Sequence, residues 1–111
     1  MAKTFSDYLA VLGDYVLEQG GDTKTAIAGA AGDSRECRSA FVFCTLQGER
    51  VDGAQFVPMA LANGAVAVLA DRRLDLPPGV PWAVVREPYH AFARVAEVSR
   101  DFPARALQLL G

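Results

Sequence analysis

The sequence predicts an α/β fold: one small three-layer-like domain, with about three helices and a mixed or parallel sheet of about four or five strands. Short apolar segments recur along the 111 residues and suit strands covered on both faces. Segments of helical periodicity alternate with them, which favours parallel pairing in part of the sheet. The chain is 51 % hydrophobic and 22 % charged, as is typical of a single folded domain with its own core.

The first predicted helix covers residues 4–19. Thr4 and Asp7 resemble a capping box at its start, and apolar side chains follow at the i, i+3, i+4 and i+7 spacing. Gly13 offers an early end to this helix, and Gly20-Gly21 ends it in any case. The predicted inward side chains are Phe5, Tyr8, Leu9, Leu12 and Val16.

Two further helices are predicted. The second covers residues 54–63, is capped by Asp52 or Gly53, and stops at Gly64. The third has Pro88 in its first turn and is closed by Pro103. Their predicted inward side chains are Phe56, Val57, Ala60 and Leu61 in the second helix, and Phe92, Val95, Ala96 and Ser99 in the third.

Four segments are predicted as strands. They are residues 25–31, which contain few bulky side chains, and the more apolar residues 40–46, 65–70 and 82–86. Residues 106–111 resemble the start of one more strand. A polar, proline-rich loop, residues 71–81, separates the last two of the four.

Composition and charge exclude several classes of partner. The formal net charge of −2 gives no electrostatic reason to expect a nucleic acid. No apolar run approaches the roughly 20 residues that span a bilayer, so we expect no membrane partner. The first residues lack a basic segment followed by an apolar one, which predicts a cytoplasmic protein. We therefore expect free thiols, with Cys44 in the core and Cys37 in a loop.

The sequence offers no residue set for catalysis. It contains neither the phosphate-binding pattern GxxxxGK[ST] nor a GxGxxG turn that opens a helix. His90 is the single histidine, at the start of the last predicted helix, where a surface or capping role is usual. The carboxylates are scattered, so we predict no metal site and no nucleophile with its base. We therefore predict a domain that binds a ligand, with no catalytic residue and no cofactor of its own.

Two polar segments flank the predicted strand 40–46 and indicate a ligand site. Asp33-Ser34-Arg35 precedes the strand, and its hydroxyl and guanidinium groups suit a phosphate. Glu49-Arg50-Val51 follows it, and backbone groups with one apolar side chain suit a base such as uracil. The helix predicted from Ala54 would add free N–H groups at its N-terminus. Loops at strand ends are where α/β sheets commonly bind ligands.

A purely structural alternative is at least as strong from spacing alone. Asp33 and Ser34 would then satisfy a tight turn through side-chain-to-backbone hydrogen bonds. Arg35 would be a surface charge, and Asp52-Gly53 would be only a helix cap.

In combination these motifs resemble the N-terminal domain of the Mur ligases. The family pattern is DSR, Gly-Asp-hydrophobic-Phe, a Gly-x-x-x-Asp-Gly loop, an aromatic residue, and Gly-Ala after a helix. The matching residues are Asp33-Ser34-Arg35, Phe43, Gly48, Asp52-Gly53, Phe56 and Gly64-Ala65. The chain departs from the pattern at Ala40-Phe41, where the family has Gly-Asp. A difference in shape is therefore expected in the turn that leads into this strand.

Within the family, the resemblance is to the ligases that add the third residue, meso-diaminopimelate or lysine, to UDP-N-acetylmuramoyl-L-alanyl-D-glutamate. It implies that residues 1–111 are the N-terminal domain of a longer ligase and hold the uridine diphosphate end of this substrate. Ser34 would contact the diphosphate, and the Gly32 backbone would approach the uracil. The uridine pocket would be lined by Glu49, Arg50 and Val51, with support from Asp33, Arg35, Asp52 and Gly53.

The resemblance also implies that the chemistry of peptidoglycan synthesis lies in other domains. ATP, magnesium and the acyl-phosphate step would belong to a central and a C-terminal domain, and the isolated chain would be inactive. One alternative is the equivalent domain of the ligase that adds D-alanyl-D-alanine. A second is a protein-interaction module, suggested by the proline-rich loop. A stand-alone enzyme is disfavoured because the phosphate loop is missing.

Overall fold

The computed structural model describes residues 3–46 and 52–99. Its α-helices are α1 Phe5–Leu12, α2 Val57–Ala62 and α3 Pro88–Ser99. Its strands are β1 Lys3–Thr4, β2 Val16–Gly20, β3 Ala26–Ile27, β4 Gly29–Ala31, β5 Phe41–Cys44, β6 Ala65–Ala70 and β7 Trp82–Val85. Short 3-10 helices cover Gly13–Tyr15, Ser34–Glu36 and Gly53–Phe56.

A mixed sheet of five strands, in the order β2-β7-β6-β5-β4, forms the centre of the fold. Strands β4 to β7 are parallel to one another, and β2 joins the edge antiparallel to β7. A separate two-stranded ribbon pairs β1 with β3. The α/β class and the number of strands and helices predicted from the sequence are therefore confirmed.

Each face of the sheet carries its own apolar cluster. In β5, Val42 and Cys44 pack in the cluster beneath α1 and α3, whereas Phe43 packs in the cluster beneath α2. In β6, Leu69 and Val68 likewise face opposite clusters. Successive side chains of a strand point to opposite faces, so the sheet is the middle of three layers. Burial on both faces explains why these strands are continuous apolar runs.

The three connections between the parallel strands cross the same face of the sheet. Cys37 from the first connection, α2 from the second and Leu76 from the third all pack in one cluster. Because the strands are parallel and adjacent, the segments that follow β4, β5 and β6 emerge at the same edge. This carboxyl edge is where α/β sheets hold their ligands.

The prediction of a helix over residues 4–19 is wrong beyond Leu12. The helix begins as predicted, with Thr4 and Asp7 in a capping box, but Gly13 has a φ of +52° and ends it. Val16–Gly20 instead forms β2, because the sheet edge offers these residues backbone partners. In this antiparallel pairing Val16 lies opposite Val85 and Gly20 lies opposite Trp82.

Other boundaries differ from prediction in smaller ways. The predicted strand 25–31 is broken at Ala28, whose N–H donates to the carbonyl of Ala40 at 2.7 Å. The predicted helix 54–63 is a 3-10 helix at first and becomes α-helical only at Val57. The predicted strand 40–46 is confirmed for Phe41–Cys44. The strand 65–70 is confirmed in full, and the strand 82–86 is confirmed as far as Val85. The predicted helix end at Pro103 and the strand start at 106–111 lie outside the described residues.

The turn that leads into β5 contains an alanine with a left-handed backbone. Ala40 has a φ of +65°, and its N–H donates to the carbonyl of Gly64 at 2.9 Å. This is the position at which the Mur ligase pattern has glycine. The chain therefore adopts at an alanine a conformation that glycine adopts most easily.

Both cysteines are free thiols buried in the protein. Cys44 lies in the core as predicted, and Cys37 lies in a loop as predicted but is only 1 % exposed. Burial raises the pKa of both thiols, which disfavours the reactive thiolate.

Candidate functional site

A cavity of about 440 Å³ opens at the carboxyl edge of the sheet, where β4 and β5 end. Its walls come from the turn after β4, the end of β5, the segment that leads into α2, α2 itself and the start of α3. The lining residues are Gly32, Asp33, Ser34, Arg35, Phe43, Leu46, Gly53, Phe56, Met59 and Tyr89. We call this space the β5 cavity.

The β5 cavity brings together most of the predicted site residues that the structure describes. Those that line it are Gly32, Asp33, Ser34, Arg35 and Gly53. Asp52 adjoins Gly53 and caps the 3-10 helix that follows it, with its side chain accepting from the N–H of Ala54. The predicted residues Glu49, Arg50 and Val51 lie outside the described residues.

Ser34 places a buried hydroxyl at the β5 cavity. The residue is 4 % exposed, and its hydroxyl donates to the sulfur of Met59 at 3.3 Å. A thioether is a weak acceptor, and Met59 is 48 % exposed. An anionic oxygen that enters the cavity would therefore be a better partner for this hydroxyl than the sulfur is.

Asp33 and Arg35 form an ion pair at the rim of the β5 cavity. A carboxylate oxygen of Asp33 accepts from the backbone N–H of Arg35 at 2.8 Å, and the guanidinium donates to the same carboxylate at 2.7 Å. The side-chain hydrogen bond and this backbone bond lower the pKa of Asp33 to about 2. The structural alternative thus describes Asp33 correctly, but the Ser34 hydroxyl does not serve the turn.

Gly53, in the segment that joins β5 to α2, packs closely against the backbone just after the end of β5. A Cβ atom at Gly53 would lie 2.4 Å from the carbonyl oxygen of Leu46 and 2.7 Å from its nitrogen, so only glycine fits. Arg72 donates to the carboxylate of Asp52 and, at 2.9 Å, to that of Asp71. Close packing of Gly53 against the Leu46 backbone and the ion pair of Asp52 thus hold together the described residues nearest to the predicted uridine-pocket segment.

The predicted contribution from a helix N-terminus near Ala54 is wrong. The α-helix has six residues and begins at Val57, so its dipole is small and its start is removed from the predicted position. The N–H of Ala54 is already satisfied by the Asp52 carboxylate at 2.9 Å.

Exposed apolar side chains gather at the β5 cavity. Among the described residues, the large hydrophobic side chains with the most exposure are Val11, Leu17, Phe56, Met59 and Tyr89, and the last three line this cavity. Aromatic rings and a thioether suit the flat face of a base. Sequence reasoning assigned Phe56 to the core and missed Met59 and Tyr89, because an apolar residue on a helix has no signal that separates a ligand contact from a surface position.

A larger cavity, of about 660 Å³, lies between α2 and the loop 71–81. Its lining is aliphatic and proline-rich, and Gln55 and Asp75 are its polar side chains. Among the described residues that line it there is no hydroxyl or cationic side chain, so the β5 cavity is the better site for an anionic ligand.

Two other kinds of feature are absent from residues 3–46 and 52–99. This part of the chain holds no group of three or more histidine, cysteine, aspartate or glutamate residues placed to bind a metal ion. It also holds no helix long and apolar enough to cross a membrane.

Comparison with known proteins decides the family. Residues 26–110 match the family model described as "Mur ligase family, catalytic domain". The chain belongs to the Mur ligase family. The matched range contains every residue of the β5 cavity, and the resemblance seen in the sequence is confirmed.

The Mur ligase chain is similar to members of two ligase groups. The UDP-N-acetylmuramoyl-L-alanyl-D-glutamate--2,6-diaminopimelate ligase of Caldanaerobacter subterraneus subsp. tengcongensis is 34 % identical over 91 residues, which are 82 % of this chain and 19 % of that relative. The solved UDP-N-acetylmuramoylalanyl-D-glutamyl-2,6-diaminopimelate--D-alanyl-D-alanyl ligase of Acinetobacter baumannii has a TM-score of 0.69 and 25 % identity, covering 85 % of this chain and 20 % of that structure.

A third similar protein is the MurF ligase of Thermotoga maritima, solved in complex with ADP. Its TM-score is 0.52 at 29 % identity, and the match covers 66 % of this Mur ligase chain and 17 % of that structure. The chain therefore spans about a fifth of the length of the relatives it matches.

Proposed function

We propose that this chain binds the uridine diphosphate end of UDP-N-acetylmuramoyl-L-alanyl-D-glutamate, as the N-terminal domain of an ATP-dependent ligase that adds the third peptide residue. The β5 cavity carries the proposal. It joins a buried hydroxyl with only a weak acceptor to a wall of exposed aromatic and thioether groups. A nucleotide has the matching parts, namely anionic oxygens and a flat base.

Each wall of the β5 cavity then has a task. When the ligand binds, the Ser34 hydroxyl exchanges its hydrogen bond to the Met59 sulfur for one to a diphosphate oxygen. Arg35 is 81 % exposed, so its guanidinium can share its donors between Asp33 and a phosphate. The backbone of Gly32, which lines the cavity, lies against the base, and Glu49-Arg50-Val51 completes the uridine pocket.

The chemistry is proposed to lie in further domains. The chain spans about a fifth of the length of its relatives, and the Thermotoga maritima relative was solved with ADP. We therefore assign ATP, magnesium and the acyl-phosphate step to a central and a C-terminal domain of a cytoplasmic enzyme of peptidoglycan synthesis. The domain described here holds and orients one end of the substrate for them.

The ligase that adds D-alanyl-D-alanine is the second candidate, and the structural match to the Acinetobacter baumannii enzyme favours it. Sequence identity is higher to the diaminopimelate-adding relative, at 34 % against 25 %, and we prefer the third-residue step for that reason. Both candidates hold the same UDP end. Ligation assays on any longer protein that carries this chain, with the UDP-linked dipeptide or tripeptide, distinguish the two.

A titration of the ¹⁵N-labelled 111-residue chain with UDP to millimolar concentration tests the site. Amide shifts are expected at Gly32 to Arg35 and at Gly53. A hydrogen bond to a charged group contributes roughly 1.5–3 kcal/mol, so Ser34→Ala is expected to weaken UDP binding about tenfold or more. ADP and pyrophosphate, titrated in parallel, separate recognition of the base from recognition of the phosphates.

Ser39→Ala is the matched control, because Ser39 lies in the same connection but outside the β5 cavity. It should bind UDP as the unmodified chain does. If UDP shifts no amide of the β5 cavity, or if Ser34→Ala and Arg50→Ala together leave the affinity unchanged, the site assignment is wrong. If a protein partner instead shifted only amides around the larger cavity between α2 and the loop 71–81, an interaction module would be favoured.

A further inference from the structure

Asn63, at the end of α2, contacts the turn that carries Ser34. Its side-chain Nδ2 donates to the carbonyl oxygen of Ser34 at 2.9 Å. Its backbone N–H is satisfied within α2, by the carbonyls of Met59 at 3.0 Å and Ala60 at 3.1 Å. The side chain, and not the backbone, therefore links the two elements.

The internal bonds of the Ser34 turn fix only its own shape, and the bond from its hydroxyl to Met59 of α2 is weak, so a second directional contact with α2 is needed to set its orientation. The N–H of Glu36 donates to the carbonyl of Asp33 at 2.9 Å, and that of Cys37 donates to the carbonyl of Ser34 at 3.3 Å. Cys37 also packs into the apolar cluster beneath α2. Apolar packing holds the turn close to the helix but does not set its rotation, whereas a hydrogen bond does.

We propose that Asn63 is a positioning residue for Ser34. By holding the Ser34 carbonyl, the amide fixes the peptide from which the side chain projects and so aims the hydroxyl at the β5 cavity. Asn63 does not line this cavity and would not touch the ligand. This inference rests on the proposed function, since the hydroxyl it aims is the one assigned to the diphosphate.

Asn63→Ala tests the inference, because this residue is exposed and its removal takes little packing from the core. UDP affinity, measured by amide shifts in the 111-residue chain, is expected to fall up to about fivefold, as for the loss of one neutral hydrogen bond. In the Ser34→Ala background, Asn63→Ala should have no further effect, since Asn63 acts through that hydroxyl. The carbonyl ¹³C shift of Ser34 should also change in Asn63→Ala without ligand.

Ala62→Gly is the matched control, because it weakens the same end of α2 without touching the turn. It should leave UDP affinity unchanged. Unchanged affinity in Asn63→Ala would overturn the inference and leave the proposed function standing, as would additive losses in the double variant. A lack of UDP binding by the unmodified chain would overturn the proposed function and this inference with it.

Discussion

Ala40 is one of two described residues, with Glu87, that have a positive φ without being glycine. A φ of +65° destabilises the folded state by about 1–2 kcal/mol when the residue is alanine. Glycine avoids this strain, but its greater freedom in the unfolded chain lowers the free energy of unfolding by about 0.4–1 kcal/mol. Ala40→Gly is therefore expected to raise the free energy of unfolding by roughly 0.5–1 kcal/mol. Urea denaturation followed by circular dichroism measures this difference.

The helical variant Ala62→Gly is again a suitable comparison. Its backbone is α-helical, so the same exchange should lower the free energy of unfolding by up to about 1 kcal/mol. Two alanine-to-glycine exchanges of opposite sign in one protein would assign the effect to backbone conformation. A loss of stability in Ala40→Gly would contradict the explanation.

The ion pair of Asp33 and Arg35 makes a prediction about pH. The carboxyl of Asp33 has its pKa lowered from 3.8 to about 2, mainly by the side-chain hydrogen bond from Arg35. A lowered folded-state pKa adds stability above the unfolded value, and this stability is lost as the pH falls from about 4 to about 2. The contribution is small because the pair is exposed.

Arg35→Gln tests the cause of the lowered pKa. Glutamine removes the guanidinium and its charge, so the Asp33 pKa is expected to rise toward 3.8. The carboxyl ¹³C shift of Asp33, followed from pH 1.5 to pH 6 at roughly half-unit steps, gives the value directly. Arg38→Gln, three residues on, should leave it in place. If the pKa of Asp33 were unchanged in Arg35→Gln, the backbone N–H groups of the turn, and not the guanidinium, would be what stabilises the Asp33 carboxylate.

Individual site residues differ in how far the sequence could identify them. Asp33, Ser34 and Gly53 could be identified from the sequence, because small and polar residues at strand ends indicate turns or ligand contacts. Met59 and Tyr89 were not. Met59 lies on α2 and Tyr89 on α3, and only the fold of the chain brings the two helices to one cavity.

Two glycines that end helices differ in their surroundings and should differ in their tolerance of a side chain. Gly64 follows α2 with a φ of +116°, and a Cβ there would lie 2.8 Å from backbone atoms of Ser39. Gly13 follows α1 with a φ of +52°, and nothing lies within 4 Å of its Cβ position. Crowding therefore adds to conformational strain at Gly64 alone.

Gly64→Ala is expected to lower the free energy of unfolding by about 3 kcal/mol or more, and Gly13→Ala by less, about 1–3 kcal/mol, because only backbone strain acts there. Because Ser39 lies in the connection that follows the Ser34 turn, Gly64→Ala should also weaken UDP binding. Urea denaturation and the UDP titration measure the two effects. Equal losses of stability in the two variants would show that the clash with Ser39 relaxes freely.

Secondary structure was predictable where the side-chain pattern alone decides it. The apolar runs of β5, β6 and β7 and the amphipathic spacing of α1 and α3 identified these elements. Residues 16–20 were misassigned, because Val16 continues the helical spacing of α1 and the strand has three exposed residues out of five. Their pairing with β7 depends on a partner more than 60 residues away in the sequence, which no local pattern contains.

The domain as a whole places its candidate site by topology. Strands β4 to β7 follow one another in the sheet without a reversal, so the ends of β4 and β5 are neighbours. Alternating strands and helices predicted this parallel arrangement, and the polar segments on either side of the predicted strand 40–46 indicated where the candidate site lies. The edge strand β2, the ribbon of β1 with β3 and the exact cavity walls required the three-dimensional structure.

The labelling rates of the two buried thiols report how often the domain opens around each of them. A thiol reagent reaches a buried cysteine only when the protein opens around it. Cys44 lies on β5 in the core and should react only when the domain unfolds globally, whereas Cys37 adjoins the Ser34 turn and should also react when this turn detaches. Labelling rates in Cys44→Ala and Cys37→Ala therefore compare local with global opening. Faster labelling of Cys37, slowed by UDP, is expected; equal rates would show that the turn and the sheet open as one cooperative unit.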